Sequence, residues 1–216
     1  PGKVLLPLGG RSVLEHVVRR ARGFAEQVVV CTSELETDDA VAAHCAEIGC
    51  VCVRGAAENV FQRFRKTLAD RRVLDTPWFA RITADCPLLS TALAKRLVAS
   101  TEPGFDVVAV RDGDVARGLP VEIVRRASFE AIDHAELDAP QREHVTLCFY
   151  EQPERYACRF VEVPEAIRHP ELRLTLDYPE DYELLRRLLE TDPDLTAEQA
   201  VEELLRKPAL AAINHQ

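Results

Sequence analysis

The 216-residue sequence contains no methionine, no long hydrophobic run and a deficit of positive charge. Its apolar stretches are short pieces such as Val28-Val29-Val30, whereas a membrane-spanning helix needs roughly 18–20 apolar residues. Lysine and arginine number 27 against 36 acidic residues, which gives a net charge of -9. A surface of that sign repels phosphate backbones. We therefore expect neither a membrane nor a nucleic acid as a partner.

The seven cysteines are an odd number at irregular spacings, which argues against a secreted disulfide framework and favours a reducing, cytoplasmic location. His44, Cys45, Cys50 and Cys52 are crowded enough to suggest zinc, but they lack the paired spacing of common zinc sites. We therefore predict that these cysteines are small buried hydrophobic residues. A metal site is the alternative.

Short apolar runs alternate with helical patterns in the first half of the chain. This alternation predicts βαβ units, a mostly parallel sheet and ligand binding at the carboxyl ends of its strands. The predicted strands are 28–32, 50–53, 78–82 and 106–110, and the predicted helices are 38–48 (capped by Thr37 or Asp38), 58–68 and 91–99.

The second half of the chain is less regular. A segment rich in glycine and aspartate, 111–120, is the expected seam between a nucleotide half and a substrate half. Strands are predicted at 121–124, 156–163 and 173–176, and helices from Ser128 to about 135, at 144–150, from Pro179 and from Thr196.

Two aspartates directly follow predicted strands. Asp85 comes after the strand at 78–82, and Asp177 comes after the strand at 173–176. We expect the two carboxylates to converge on one Mg²⁺, because such sheets bind ligands at the carboxyl ends of their strands and Mg²⁺ prefers oxygen ligands. The alternative is that each aspartate only caps a helix.

Several cations are candidates for binding an anionic ligand. Lys3 follows a glycine and could contact phosphate, or it could belong to a frayed terminus. Arg54 and Arg63 lie between a strand and a helix, where they could clamp a phosphate or a base, or only face solvent. Arg142 and His144 could bind a substrate carboxylate or form local ion pairs. The sequence contains no P-loop.

The Asp112-Gly113-Asp114 motif is similar to the acid-x-acid element of sugar-nucleotide glycosyltransferases. Its central glycine also suits a simple turn, which is the preferred interpretation. A glycosyltransferase is therefore an alternative function for the chain, and a binding module without catalytic activity is a third.

Six motifs occur in an order that covers nearly the whole chain: PGKVLxPL at 1–8, RGxxxNVxxR at 54–63, RITADCPL at 81–88, GxxVE at 118–122, REHVT at 142–146 and RLTLDxPED at 173–181. Together they resemble the cytidylyltransferases related to spore-coat polysaccharide biosynthesis proteins, a family related to the CMP-sugar-acid synthetases.

The resemblance implies an α/β fold, a three-layer α/β/α sandwich of the nucleotide-diphosphosugar-transferase type with a mostly parallel mixed sheet. It implies one domain over residues 1–216, with a nucleotide-binding half (1–110), an acceptor-binding and dimerisation half (111–178) and C-terminal helices (179–216). The implied reaction is attack of a sugar-acid hydroxyl on the α-phosphorus of CTP, with release of pyrophosphate. Mg²⁺ is the implied cofactor, and a homodimer is the implied assembly.

The resemblance also implies roles for individual residues. Lys3, Asp85 and Asp177 would be catalytic, and the two aspartates would hold the metal. The residues implied near the nucleotide are Lys3, Arg54, Arg63, Arg81 and Asp85. Those implied near the acceptor are Glu122, Arg142, His144 and Arg173.

The sequence differs from the family pattern at two places. Asn59 stands where the family usually has aspartate. Family members also carry a buried strand and a loop ahead of the motif at 1–8. We expect such a segment upstream of Pro1, because without it two strand edges inside the sheet would lack a pairing partner.

Overall fold

The computed structural model describes residues 2–214, so Pro1 and the last two residues of the C-terminal segment lie outside the described part. The helices are α1 (Val13–Ala21), α2 (Asp39–Glu47), α3 (Val60–Leu68), α4 (Thr91–Ala99), α5 (Arg126–Glu130), α6 (Ala139–Glu143), α7 (Leu147–Glu151), α8 (Pro179–Thr191), α9 (Ala197–Arg206) and α10 (Pro208–Ala211). The strands are β1 (Pro7–Leu8), β2 (Arg11–Ser12), β3 (Val29–Ser33), β4 (Val51–Gly55), β5 (Trp78–Arg81), β6 (Val107–Ala109), β7 (Glu122–Arg125) and β8 (Cys158–Phe160). Among these described helices, none has the length and apolar character needed to cross a membrane.

The strands form a mixed arrangement. The largest sheet has the order β5-β7-β6-β8, in which β7 is antiparallel to both neighbours and β8 is parallel to β6. Strands β3 and β4 pair in parallel, and β1 with β2 forms a short antiparallel hairpin. Because β5, β6 and β8 share one direction, β7 is the reversed strand of this sheet. The predicted α/β fold with a mixed sheet is confirmed.

Two apolar cores lie on opposite faces of the large sheet. Val108 belongs to a core with residues of α1, α4, α8 and α9, while its neighbour Val107 belongs to a second core with Phe61 of α3 and Phe129 of α5. Adjacent residues of a strand point to opposite faces, so this division places helices on both sides of the sheet. The architecture has three layers, and helices α8 and α9 pack into the same core as the sheet.

An apolar cleft of about 580 Å³ separates β3 from β5. Within residues 2–214, β3 pairs only with β4 and β5 pairs only with β7, so each strand has an unpaired edge. Residues of α1 and α3 also line the cleft. The expected strand upstream of Pro1 lies outside the described residues and stays a prediction.

The N-terminal hairpin and helix α1 were not predicted. The signal was present, because Ser12 caps α1 by accepting a hydrogen bond from the Glu15 backbone N–H at 3.0 Å, and Ser-x-x-Glu is a helix-start pattern. Asp38 is the N-cap residue of α2, one of the two predicted, but its carboxylate makes no capping bond and instead accepts bonds from Thr32 and Ser33. These contacts hold the end of β3.

Several boundaries in the second half differ from the predictions. Segment 173–176 is not a strand, because its pairing is one isolated parallel bridge between Arg173 and Arg117. Of the segment predicted as a strand at 156–163, only the three residues of β8 form one. Ser128 lies inside α5 and donates a hydrogen bond to Asp106 at 2.5 Å. The helix predicted at 144–150 begins at Leu147, since Val145 has a left-handed φ of 38° that interrupts the helix.

Gly118 holds the segment that leads to Asp177. Its φ is +95°, and a Cβ at this position would lie 2.7 Å from the backbone carbon of Leu174. On either side of this contact the Arg117 N–H donates to Leu172 O at 2.9 Å, and the Leu174 N–H donates to Arg117 O at 2.7 Å. The two chain segments therefore approach so closely that only glycine fits between them.

Gly118→Ala should lower the melting temperature, because it adds both a left-handed alanine, at about 1–3 kcal/mol, and a backbone clash. Gly113→Ala is the matched control, since Gly113 has φ +78° but no atom within 4 Å of its Cβ position. Thermal unfolding should show a larger loss for Gly118→Ala than for Gly113→Ala. An equal fall in melting temperature for both variants would show that the close approach to Leu174 does not contribute to stability.

Candidate active site

The Lys3 ammonium lies between two carboxylates. Its Nζ donates to Asp85 Oδ2 at 2.9 Å, to Asp177 Oδ1 at 3.0 Å and to Leu176 O at 2.7 Å. Three acceptors match the three N–H groups of the ammonium. The structure thus brings together Lys3, Asp85 and Asp177 across more than eighty residues of sequence, and Lys3 does not belong to a frayed terminus.

Backbone contacts hold the two aspartates at the same edge of the fold. Asp85 lies in the loop after β5, and Asp177 precedes α8. The Leu176 N–H donates to Asp85 O at 2.8 Å, so the two loops are joined directly beside the carboxylates. Thr175 Oγ1 donates to the same carbonyl at 3.4 Å. The separation of the carboxylates is therefore set by the backbone as well as by Lys3.

Asp181 is a buried carboxylate that orders the turn carrying Asp177. It accepts hydrogen bonds from the backbone N–H groups of Asp177 at 2.9 Å and Tyr178 at 3.0 Å, and from Asn214 at 2.8 Å. It also pairs with Arg173, whose Nη2 reaches Asp177 Oδ2 at 2.6 Å. Asp181 was not identified as a site residue from the sequence, where it appeared only as the last residue of the motif at 173–181. The sequence signal for this role is that Asp181 stands three residues after Tyr178, the N-cap residue of α8, where an acidic side chain can accept from the backbone N–H groups of the helix start.

The neighbours of Lys3, Asp85 and Arg173 shift the pKa of each group toward its charged form. Burial alone would lower the pKa of Lys3, but hydrogen bonds and charge from Asp85 and Asp177 outweigh burial and raise it. Burial alone would raise the pKa of Asp85, and the hydrogen bond and charge of Lys3 outweigh this and lower it. The hydrogen bonds that Arg173 donates to Asp181 raise the pKa of Arg173. These shifts favour the charged forms of Lys3, Asp85 and Arg173 at neutral pH.

The two carboxylates fit a magnesium ion that arrives with a phosphate ligand. Mg²⁺ is usually held by one or two carboxylates, with substrate phosphates and water completing its octahedral shell. Over residues 2–214 no group of three or more His, Cys, Asp or Glu side chains could hold a metal. Asp85 and Asp177 therefore suit a metal whose remaining ligands are phosphate and water, and not a metal held by protein ligands alone.

A second polar cluster is centred on Glu122. This β7 residue lies opposite Arg81 of β5, and the two form an ion pair at 3.1 Å. The Glu122 carboxylate also accepts bonds from Thr146 Oγ1 at 2.9 Å and from Tyr150 OH at 2.5 Å. Burial raises the pKa of Tyr150, and the charge of Glu122 raises it further. Thr146 and Tyr150 were not identified from the sequence.

The arginines proposed for ligand binding differ in their availability. Arg54 donates to the carbonyls of Ser33 and Leu35 at 2.8 Å each and pairs with Asp39 at 2.6 Å. Its guanidinium thus joins the ends of β3 and β4 to α2, and its nucleotide role stays a prediction. Arg63 donates to the carbonyl of Ala56 and lines the cleft with Arg81 and Asp85.

Arg142 and His144 lie at the end of α6. His144 is exposed, and its backbone N–H donates to Pro140 O at 2.8 Å. The Nε atom of Arg142 is buried and has no hydrogen-bond partner among residues 2–214, a property that it shares with Nε of Arg63. An unpartnered buried donor is costly, so an acceptor that reached either Nε atom would be bound favourably.

A family comparison decides the class of the protein. The family model described as Cytidylyltransferase matches residues 1–207. The chain belongs to the cytidylyltransferase family. It is therefore an enzyme of the CTP-dependent nucleotidyltransferase class.

Similar proteins support this assignment. The chain is 33% identical over 222 residues to the spore coat polysaccharide biosynthesis protein SpsF of Bacillus subtilis (strain 168), covering 98% of this chain and 90% of SpsF. The structure of a cytidylyltransferase from Leptospira borgpetersenii serovar Hardjo-bovis (strain JB197) matches with a TM-score of 0.89 and 25% identity, covering 100% of this chain and 92% of that one. A CMP:2-keto-3-deoxy-manno-octonic acid synthetase complexed with CTP shares the fold, with a TM-score of 0.63, 16% identity and coverage of 89% and 93%.

Two other motifs have structural roles in this cytidylyltransferase. Asp112 and Gly113 are exposed in a turn in which the Asp114 N–H donates to Arg111 O at 3.2 Å, in agreement with the turn interpretation. Asn59 caps α3 by accepting from the Gln62 N–H at 2.8 Å. Asparagine can replace an aspartate at such a cap without loss of the bond.

Proposed function

We propose that this cytidylyltransferase transfers CMP from CTP to the hydroxyl of a sugar acid or a related compound, with release of pyrophosphate, for surface polysaccharide or glycoconjugate synthesis. The observation that carries the proposal is the convergence of Asp85 and Asp177 on one cation, the Lys3 ammonium. The names of SpsF and of the CMP-linked octonic acid synthetase support the choice of acceptor and pathway class.

The proposed chemistry needs positioning and charge neutralisation and no covalent nucleophile. Asp85 and Asp177 would hold Mg²⁺, which when bound neutralises phosphate charge and lowers the pKa of a bound hydroxyl. Lys3 would bind the phosphates and offset charge on the departing pyrophosphate. Arg63 and Arg81 line the cleft beside Asp85 and would contact the nucleotide.

The acceptor side would use the second polar cluster. Glu122 is held by Arg81, Thr146 and Tyr150, and a carboxylate fixed in this way can accept hydrogen bonds from sugar hydroxyls. Arg142 would bind the carboxylate of a sugar acid, because an arginine fork pairs well with a carboxylate. His144 is exposed beside it, and Arg173 would act mainly by holding Asp177.

Replacing Arg142 with alanine should raise the KM for a carboxylate-bearing acceptor by roughly tenfold or more, because a charge-assisted pair is lost. The KM for CTP should not change. Steady-state kinetics with each substrate varied in turn measures both values. The matched control is Arg155→Ala, which removes an exposed arginine paired with Glu136. A rise in the CTP KM alone would place Arg142 on the nucleotide side.

Product analysis tests the function. The protein is incubated with Mg²⁺, a panel of sugar acids and each of the four nucleoside triphosphates, and ³¹P NMR identifies the products. We expect pyrophosphate and a CMP-linked product from CTP. Release of a nucleoside phosphate from a sugar nucleotide would instead indicate a glycosyltransferase. If no product forms and calorimetry shows no heat of CTP binding in the presence of Mg²⁺, the alternative without catalytic activity would be favoured.

The homodimer and the cytoplasmic location stay predictions from the sequence. Light scattering of the purified protein checks the first, since a single monomer peak would contradict it.

A further inference from the structure

The Lys3 ammonium occupies the position between the two carboxylates that would hold a metal. It takes one oxygen of Asp85 and one oxygen of Asp177, and its third N–H is bound to Leu176 O. Arg173 takes the second oxygen of Asp177 at 2.6 Å. Of the four carboxylate oxygens, only Asp85 Oδ1 has no cationic hydrogen-bond partner within residues 2–214, and its neighbour is Cys86 Sγ at 3.6 Å.

These contacts make the pair of carboxylates a poor site for a bare divalent cation. Lys3 and Arg173 already contact three of the four oxygens of Asp85 and Asp177, and because Arg173 also pairs with Asp181, one net negative charge remains in the cluster. A second cation in the same space would compete for the same oxygens, and it would be repelled by an ammonium a few ångströms away. Within residues 2–214 no third His, Cys, Asp or Glu side chain joins the pair, so water or phosphate would have to supply the rest of a metal shell.

Lys3 is able to leave this position, whereas Arg173 is not. The Lys3 side chain is 42% exposed and carries a flexible stem. Arg173 is held by the buried Asp181 through two further hydrogen bonds. Phosphate oxygens of an incoming triphosphate are strong acceptors for an ammonium and would draw Lys3 away from the aspartates.

We propose that Lys3 is an internal substitute cation that keeps divalent metal out of the Asp85–Asp177 pair until a nucleoside triphosphate moves the ammonium onto its phosphates. Metal and nucleotide then enter together, and the free protein does not retain the metal. Lys3 acts here as a positioning residue that links metal entry to nucleotide entry. The inference depends on the proposed function for the identity of the metal and of the nucleotide.

The test measures binding of Mn²⁺ alone, without nucleotide, by the loss of the free-ion EPR signal. We expect Lys3→Gln to bind the bare ion about tenfold or more tightly than the unmodified protein, because the competing charge is gone. Lys3→Met is a second neutral variant. The test needs only one of the two, provided that circular dichroism shows it to be folded. Lys3→Arg keeps the charge and should bind as weakly as the unmodified protein.

Two controls separate this effect from a general change in charge. Lys66→Gln removes the same charge from an exposed pair with Glu34 and should leave Mn²⁺ binding unchanged. Adding Asp85→Asn to Lys3→Gln should abolish the tightened binding, which locates the ion at the pair. A folded neutral variant whose affinity for Mn²⁺ stays within twofold of the unmodified protein overturns the inference.

The outcome is independent of turnover. Because the titration contains no CTP and no acceptor, a failed product assay would not alter its result. Normal CMP transfer by the unmodified protein, together with unchanged Mn²⁺ affinity in Lys3→Gln, would overturn the role of Lys3 as a substitute cation and leave the proposed function standing.

Discussion

Asp85→Asn or Asp177→Asn should reduce nucleotidyl transfer by about a hundredfold to a thousandfold, the usual effect of removing a charged group that stabilises the transition state. Each change keeps the shape of the side chain but removes a negative charge that contacts the Lys3 ammonium at 2.9 Å or 3.0 Å. The loss should fall mainly on kcat, and it should persist at saturating CTP. Steady-state assays of pyrophosphate release measure it.

The matched control is Asp114→Asn, which removes an acidic charge from the turn at 111–114. This variant should retain nearly full activity. Near-native activity of both Asp85→Asn and Asp177→Asn would contradict the assignment of the site. Loss of activity in Asp114→Asn alone would favour the alternative in which the Asp112-Gly113-Asp114 motif binds a sugar nucleotide.

Asp181→Asn should be the most destabilising single change near the site. Its side chain is 1% exposed and accepts hydrogen bonds from Arg173, from two backbone N–H groups and from Asn214. Breaking a buried ion pair on one side costs about 3–5 kcal/mol, and Arg173 would keep only its pair with Asp177. For a chain of this size we expect a fall in melting temperature on the order of 10 °C.

Glu183→Gln is the control for this loss of stability. Glu183 lies on the same helix, α8, and pairs with Arg186 and Arg187 at the surface, where ion pairs contribute little. Calorimetry should show a small shift for this variant and a large one for Asp181→Asn. Similar melting temperatures for both variants would mean that the network around Asp181 does not hold the turn before α8.

Local sequence signals were sufficient to predict the main elements of the first half. Apolar runs and helical stripes identified β3, β4, β5, α3 and α4 to within two residues, because each is a short regular element with its own periodicity. The same reasoning failed at Val145, where a left-handed φ interrupts an apolar stretch that reads as helix. It also failed at α1, whose cap pattern at Ser12 was overlooked.

The contacts of the site are long-range, and their details could not be read from spacing. The predicted strand before Asp177 is absent, yet Asp177 lies beside Asp85 because the Arg117–Arg173 bridge and the Leu176–Asp85 hydrogen bond hold an extended segment there. Whether an arginine serves a ligand or the fold depends on its neighbours. Arg54 already donates to two backbone carbonyls and pairs with Asp39. Nε of Arg142, by contrast, is buried without a partner in the described part of the chain.

The most direct test is a crystal structure of the protein grown with CTP and Mn²⁺, with anomalous scattering used to locate the ion. We predict an anomalous peak within coordination distance, roughly 2.0–2.2 Å, of carboxylate oxygens from both Asp85 and Asp177, with phosphate oxygens completing the shell. An ordered triphosphate whose metal contacts neither carboxylate would contradict the central claim that these two aspartates form the metal site of the enzyme.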